Sequence, residues 1–268
     1  MPLGTSPNEL GAGVSVSTPM QKMPSRRAAW LATLALPLIA CGGGDPYQGL
    51  TADDLYRMAE NELAEGDQEN AVEALERLHV SFGDWPRLPE AGLLLARAHY
   101  ENDNYLPARA EYRRFLDRFA ANAGAPDAAA GECRSLAALA PAPQRDQGFT
   151  EEALTVCGNV VLDYARTSQA DEADALRANL RRTMAEKEYL NADHYFRRRQ
   201  YDSAIIYYQF VVDLYPETDL APQALLGVYL SNQAIGYDDL AEEARTRLLQ
   251  EYPDSPQAVE IRTVGSAS

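Results

Sequence analysis

The amino-acid sequence predicts an all-α fold, a solenoid of about five antiparallel helix pairs. The first supporting observation is a recurring alanine followed eleven positions later by an aromatic residue, with an apolar residue at the seventh position. Five alanines begin such a segment: Ala71, Ala108, Ala153, Ala204 and Ala241. Offsets of seven and eleven residues keep side chains on one helical face, so each segment predicts an amphipathic helix of about three turns.

A second series of alanines predicts the partner helix of each pair. Ala59, Ala96 and Ala192 stand twelve residues before three of the first series, and turn residues separate the two series. Small side chains at both positions let antiparallel helices approach to about 8–10 Å. The spacings of 37, 45, 51 and 37 residues between the first-series alanines resemble the tetratricopeptide repeat. This resemblance implies a right-handed solenoid of about five tetratricopeptide-like helix pairs, with insertions around the third.

The N-terminal segment has the pattern of an export signal. Lys22, Arg26 and Arg27 precede an apolar stretch at 28–40 that is too short to span a bilayer comfortably, and Cys41 follows it. The four residues that end at this cysteine resemble a bacterial lipobox, which implies that Cys41 is lipidated and becomes the first mature residue. The alternative is an ordinary secretory signal cleaved just before the cysteine.

The predicted organisation of the chain follows from these two patterns. We expect a signal peptide at 1–40, although residues 1–19 add nothing that a signal requires and Met20 or Met23 is an alternative start. The predicted segments after the signal are a lipidated tether at 41–50, a repeat domain at 51–262 with halves of about 51–125 and 126–262, and a disordered tail at 263–268.

Local signals set the boundaries within the repeat domain. Thr51 and Asp54 have the spacing of a capping box, whereas Pro141, Pro143 and Gly148 cannot lie inside a helix. The predicted elements are repeat helices over 52–120, a loop at 121–125, a helix at 126–139, an irregular segment at 141–148, a helix around Ala153, a long helix at about 169–198, helices at 202–215, 221–235 and 238–252, and a short last helix from Pro256.

Composition excludes several classes of function. The chain has 40 acidic and 24 basic residues and a net charge of −16, which argues against nucleic acid, since binding it requires a basic face. The same balance argues against a polybasic surface on anionic lipid. No later apolar run approaches the roughly 20 residues of a transmembrane helix, so we expect membrane attachment through the lipid anchor only.

No residue pattern indicates an enzyme, a metal site or a cofactor. The three histidines, His79, His99 and His194, lack metal-ligand spacing. Neighbouring acidic pairs such as Glu151 and Glu152 point about 100° apart on a helix and usually mark solvated faces. Neither a phosphate-binding glycine loop nor a nucleophile elbow is present.

The two remaining cysteines and a few polar or aromatic residues are candidates for a structural or binding role. Cys133 and Cys157 either form a disulfide, which persists in an oxidising compartment, or remain two buried thiols. Tyrosines near helix ends either line a peptide groove or pack in the core: Tyr100, Tyr105, Tyr195 and Tyr201. Arg145 and Asp146 lie in the irregular segment, where they either form a local ion pair or face a partner.

A lipobox followed by about five degenerate tetratricopeptide units resembles the BamD family, the lipoproteins of the outer-membrane β-barrel assembly machine. The resemblance covers about residues 41–260, and Phe82-Gly83 and Arg199-Gln200 depart from its pattern. Its specific pieces are Leu63 to Ala71, Ala108 to Phe119, the loop with Arg145 and Asp146, Tyr195 to Ala204, and the repeat endings Tyr215-Pro216 and Tyr252-Pro253.

The resemblance implies an outer-membrane lipoprotein that faces the periplasm and acts as a non-catalytic scaffold. Its C-terminal half would dock on the periplasmic domains of the barrel-inserting subunit, with Arg145 and Asp146 at a partner surface. Its N-terminal half would receive unfolded outer-membrane proteins. The alternative function is a periplasmic tetratricopeptide scaffold that coordinates peptidoglycan synthesis with envelope constriction.

Overall fold

The computed structural model describes residues 46–265, so the signal peptide, Cys41 and residues 266–268 lie outside the described residues. The described part contains eleven α-helices and no strand, which confirms the all-α prediction. In chain order they are α1 (Ala52–Glu65), α2 (Gln68–Ser81), α3 (Leu88–Glu101), α4 (Tyr105–Phe119), α5 (Ala125–Ala138), α6 (Gly148–Asp163), α7 (Ser168–Arg197), α8 (Tyr201–Leu214), α9 (Ala221–Ile235), α10 (Asp238–Glu251) and α11 (Pro256–Gly265).

The helices pack in sequence along a solenoid. Each helix from α1 to α10 contacts the next, and α11 packs on α9 and α10. The predicted alanines form the centre of this packing, because all eight are at most 3% exposed. The buried positions predicted from the sequence are therefore confirmed in all five repeat helices and in the three partner helices that carry a predicted alanine.

Four of the five turns between paired helices share one backbone feature. Five residues before the repeat alanine, the backbone is left-handed at Gly66, Asp103, Arg199 and Gly236, with φ of 85°, 57°, 58° and 79°. Glycine adopts this conformation freely, whereas other L-residues pay a steric cost. Arg199, at which the sequence departs from the family pattern, thus keeps the left-handed backbone of the turn. It only lacks the freedom with which a glycine would adopt that conformation.

Both ends of the repeat domain extend beyond the predicted boundaries. Tyr47, inside the predicted tether, is only 7% exposed and packs in the first core cluster. The predicted capping box at Thr51 is present, since its Oγ1 accepts from Asp54 N at 3.2 Å. At the other end, α11 continues to Gly265, three residues into the predicted disordered tail.

Four clusters of buried apolar residues follow each other along the solenoid. The first lies among α1, α2 and α3, the second among α3, α4 and α5, the third among α5, α6 and α7, and the fourth among α7 to α11. The 30-residue α7 contributes Ala173 and Leu180 to the third cluster and Ala185 and Ala192 to the fourth.

Two tyrosine rings fill notches left by glycine on the following helix. Tyr112 of α4 packs on Gly131 of α5, and Tyr208 of α8 packs on Gly227 of α9. Each glycine stands nineteen residues after its tyrosine. A Cβ on Gly227 would lie 2.5 Å from Tyr208 Cε2, closer than real Cβ atoms come. These two glycines are therefore required by close packing.

Candidate functional site

The loop between α5 and α6 is organised by one buried glutamine. Pro141 and Pro143 prevent a helix here, and the freed backbone carbonyls turn inward. Gln147 is 2% exposed, and its Nε2 donates to the carbonyls of Ala142 at 2.9 Å, Pro143 at 3.3 Å and Arg145 at 3.0 Å. Because one amide holds three carbonyls, the loop has a defined shape.

The remaining atom of this glutamine fastens the loop to α6. Thr150 Oγ1 donates to Gln147 Oε1 at 2.7 Å, and Thr150 is fully buried. Sequence reasoning missed the role of Gln147. The signal that could have revealed it is a glutamine that ends a proline-rich segment and has a threonine three residues later on a predicted helix.

The structure places Arg145 and Asp146 on the exposed side of this loop. They do not form the local ion pair that the sequence left open. Asp146 Oδ1 instead accepts from Gly148 N at 3.1 Å at the start of α6, and the Arg145 side chain makes no ion pair or hydrogen bond with any described residue. Phe149, in the first turn of α6, is 38% exposed. An unpaired arginine and an exposed aromatic ring are residue types enriched at protein interfaces.

A disulfide closes the base of the same loop. Cys133 of α5 and Cys157 of α6 are bonded, with their Cα atoms 4.9 Å apart. Both residues are fully buried in the third core cluster. The sequence left open whether these two cysteines form a disulfide or remain thiols, and the structure has the disulfide. The bond joins α5 to α6, the two helices from which the loop projects.

The four predicted tyrosines separate into two pairs at two different turns. At the α3–α4 turn, the Tyr100 and Tyr105 ring centroids are 5.4 Å apart. The Tyr105 hydroxyl donates to Asp103, and this hydrogen bond raises the pKa of the phenol. The Arg134 guanidinium lies 5.9 Å from the Tyr100 ring. Both rings are half-buried, so the two tyrosines pack against each other and still expose part of each ring to solvent.

The other two tyrosines lie at the α7–α8 turn. The Tyr195 ring stacks on that of Tyr207, with centroids 5.3 Å apart and planes 8° apart. Tyr201 packs edge-on against Phe196 at 5.5 Å. Tyr195 also packs against the fourth core cluster, so its first role is structural. The four tyrosines therefore belong to two separate turns and do not form one shared site.

Three further observations concern metal ligands, membrane-spanning helices and one buried histidine. No group of three His, Cys, Asp or Glu side chains in this part of the chain is arranged to hold a metal ion. Nor does any helix between residues 46 and 265 combine the length and apolar character needed to cross a membrane. His99 is 8% exposed, and burial lowers the pKa of its imidazole although Glu76 and Glu111 oppose this.

Comparison with known proteins points to one family. The model of the YfiO family, described as outer membrane lipoprotein, matches residues 49–248. The outer membrane protein assembly factor BamD of Caulobacter vibrioides is 25% identical over 210 residues, which cover 77% of this chain and 68% of the relative.

Two solved structures are similar to this chain at lower sequence identity. A thermophilic TPR protein of Thermus thermophilus is 17% identical, with 81% of this chain and 99% of that chain covered and a TM-score of 0.37. A protein described as a possible binding protein of Bacteroides ovatus is 16% identical, with coverage of 74% and 100% and a TM-score of 0.40.

Proposed function

We propose, because this chain belongs to the YfiO family of outer membrane lipoproteins, that it is a scaffold of the machinery that assembles outer-membrane β-barrels. The observation that carries the proposal is the family match over residues 49–248, which spans nearly the whole repeat domain. The related Caulobacter protein is named an outer membrane protein assembly factor. A solenoid of helix pairs supports such a role, because it presents a long surface to extended partners.

Attachment to the outer membrane belongs to the same proposal. We infer that Cys41 is acylated and that the repeat domain faces the periplasm. One acyl chain binds a membrane only weakly and stable anchoring takes two, so a diacyl or triacyl cysteine is expected. The buried disulfide supports export, since disulfides persist in oxidising compartments.

The partners we propose are the periplasmic domains of the barrel-inserting subunit and unfolded outer-membrane proteins. Depletion of the protein tests this role. Folded β-barrels should fall across many substrates, while inner-membrane proteins remain at their normal levels. If depletion changed only peptidoglycan constriction or cell separation, the coordinating function would replace the assembly function.

The loop around Gln147 is our candidate for the contact with the barrel-inserting subunit. Because Gln147 holds three carbonyls of the loop, the loop is already ordered before a partner binds. Binding through Arg145 would therefore cost little loop entropy. Arg145→Glu should weaken the purified complex about tenfold or more, as loss of a central arginine does at other interfaces. The melting temperature should change little, because the side chain is exposed and makes no ion pair or hydrogen bond with a described residue.

Arg166→Glu is the matched control for this test. Arg166 is also an exposed arginine in an interhelical connection, between α6 and α7, without an ion pair among the described residues. The control separates a local contact from a general effect of added negative charge. If both reversals weakened the complex equally, or if Arg145→Glu unfolded the protein, the loop would not be the contact.

A further inference from the structure

The disulfide between Cys133 and Cys157 is inaccessible to solvent in the folded protein. Both cysteines are 0% exposed, and they lie in the third core cluster with Leu136 of α5 and Val160 of α6. Thiol–disulfide exchange requires a thiolate to reach the sulfur that it attacks. A dissolved thiol or disulfide therefore has no direct path to this bond while the cluster stays closed.

Helix α7 covers the two helices that the bond joins. It packs on both α5 and α6, and its Ala173 and Leu180 are buried in the same cluster, at 0% and 5% exposure. Beside this contact, Arg134 of α5 donates to Glu172 of α7 at 2.9 Å. Undocking of α7 would therefore open the cluster that contains both sulfur atoms.

The order of the helices along the chain puts α7 after both cysteines. Cys133 lies in α5 and Cys157 in α6, whereas α7 begins only at Ser168. The cysteines are 24 residues apart, and α5 and α6 contact each other directly, so this helix pair can bring the two thiols together without α7. A chain that enters an oxidising compartment from its N-terminus presents both cysteines before α7.

We propose that an external disulfide makes this bond on the α5–α6 pair before α7 docks, and that α7 then buries it. One cysteine thiolate attacks a sulfur of the external disulfide and releases one thiolate of the donor. The second cysteine attacks the mixed disulfide and releases the other. The protein loses two protons and two electrons, which the donor gains. Only the arrival of the cysteines during export rests on the proposed function, because burial by α7 is a property of the chain itself.

Reduction of the purified protein tests whether α7 protects the bond. All samples carry Cys41→Ala, which leaves Cys133 and Cys157 as the only cysteines of the chain. Dithiothreitol is the probe, and alkylation of the released thiols followed by mass spectrometry measures the rate. We expect reduction in native buffer to be slower than in concentrated urea by about a hundredfold or more, since a reagent that needs an opened state reacts in proportion to the population of that state.

Two matched leucine variants show which part of the fold must open. Leu180→Ala loosens the contact of α7 with the third cluster, whereas Leu75→Ala loosens the first cluster, to which neither cysteine belongs. Both leucines are at most 5% exposed. Leu180→Ala should speed reduction in native buffer about thirtyfold or more, because loss of a buried leucine side chain shifts an opening equilibrium by at least that factor. Leu75→Ala should leave the rate unchanged.

A milder pair of variants replaces these if Leu180→Ala does not fold. Ala173→Gly in α7 and Ala74→Gly in α2 each remove one buried methyl group, from the third and the first cluster respectively. Because glycine also weakens a helix interior, Ala173→Gly should speed reduction about fivefold. Ala74→Gly should have no effect on the rate.

Oxidation of the reduced chain tests the order of events. The reduced chain is diluted from urea either directly into glutathione disulfide, or first into dithiothreitol and, after folding, into glutathione disulfide. Circular dichroism reports whether the reduced chain has folded before the oxidant is added. We expect the bond to form about tenfold faster or more by the direct route, because in the other route α7 docks before the oxidant arrives. A reduced chain that stays unfolded would support the same order, since α7 would then dock only after the bond is made.

Three outcomes would overturn the proposal. They are reduction of the native protein as fast as in urea, equal rates for the Leu180→Ala and Leu75→Ala proteins, and oxidation of a folded reduced chain as fast as that of the unfolded chain. Failure of the assembly role would change none of these results, because each is measured on the purified chain.

Discussion

Glycine positions that look alike in sequence should respond to substitution in opposite directions. Gly227 lies inside α9 and Gly158 inside α6, and alanine is favoured over glycine in a helix interior by about 1 kcal/mol. At Gly158 nothing lies within 4 Å of an added Cβ, whereas at Gly227 three atoms of the Tyr208 ring lie within 2.8 Å. The free energy of unfolding should therefore rise for Gly158→Ala and fall, or stay unchanged, for Gly227→Ala.

The expected magnitude at Gly227 comes from the confinement of the Tyr208 ring. Tyr208 is 4% exposed, and its ring is packed against Tyr189 and Phe196 at centroid distances of 5.5 and 6.4 Å. It cannot retreat without disturbing the core, and overpacking typically costs about 1–3 kcal/mol. Since helix propensity contributes equally to both variants, their difference in unfolding free energy isolates this cost at about 1–3 kcal/mol.

Urea denaturation of the two variants with the disulfide intact measures that difference. For a domain of this size it corresponds to a melting-temperature gap of about 2–12 °C, at about 2–4 °C per kcal/mol. Repeating Gly227→Ala in a Tyr208→Ala background should reverse its sign, because the clash is gone and only the propensity remains. Equal stability of Gly227→Ala and Gly158→Ala would refute the packing argument.

Three further predictions concern the anchor, the disulfide and one histidine. Cys41→Ala should leave unprocessed precursor or release soluble protein, and an unchanged membrane fraction would contradict lipidation. Replacing Cys133 and Cys157 by serine should lower the free energy of unfolding by about 3 kcal/mol in a denaturant titration, and two free thiols in the purified protein would disprove the bond. Burial lowers the pKa of His99 from 6.5, so stability should decline as pH falls below about 6.5, where the unfolded chain takes up the proton first. His99→Gln should remove that dependence, whereas a slope that persists would assign it to other groups.

The sequence predicted the solenoid well because its signal repeats. The alanines at 71, 108, 153, 204 and 241 each have to be small for the same reason, and five copies in one register outweigh the noise of any single helix. The long α7 was predicted for the opposite reason, because no residue between Gln169 and Arg198 breaks a helix.

The candidate site was predicted less completely, because its organisation depends on contacts that have no sequence period. Arg145 and Asp146 were correctly placed at an exposed loop by the neighbouring prolines. The role of Gln147 was missed, since nothing in the spacing shows that one side chain turns inward to bind three carbonyls.

The length of α7 has a consequence for how the molecule comes apart. A solenoid whose units contact only their neighbours unfolds approximately as a one-dimensional chain, in which one end can melt while the other persists. Here one helix of 30 residues supplies buried side chains to the two successive core clusters and also packs on α5, across α6. Fraying that reaches α7 from either side must break both clusters together. The C-terminal two-thirds should therefore exchange its backbone amides as one cooperative unit, while α1 and α2 open separately and earlier.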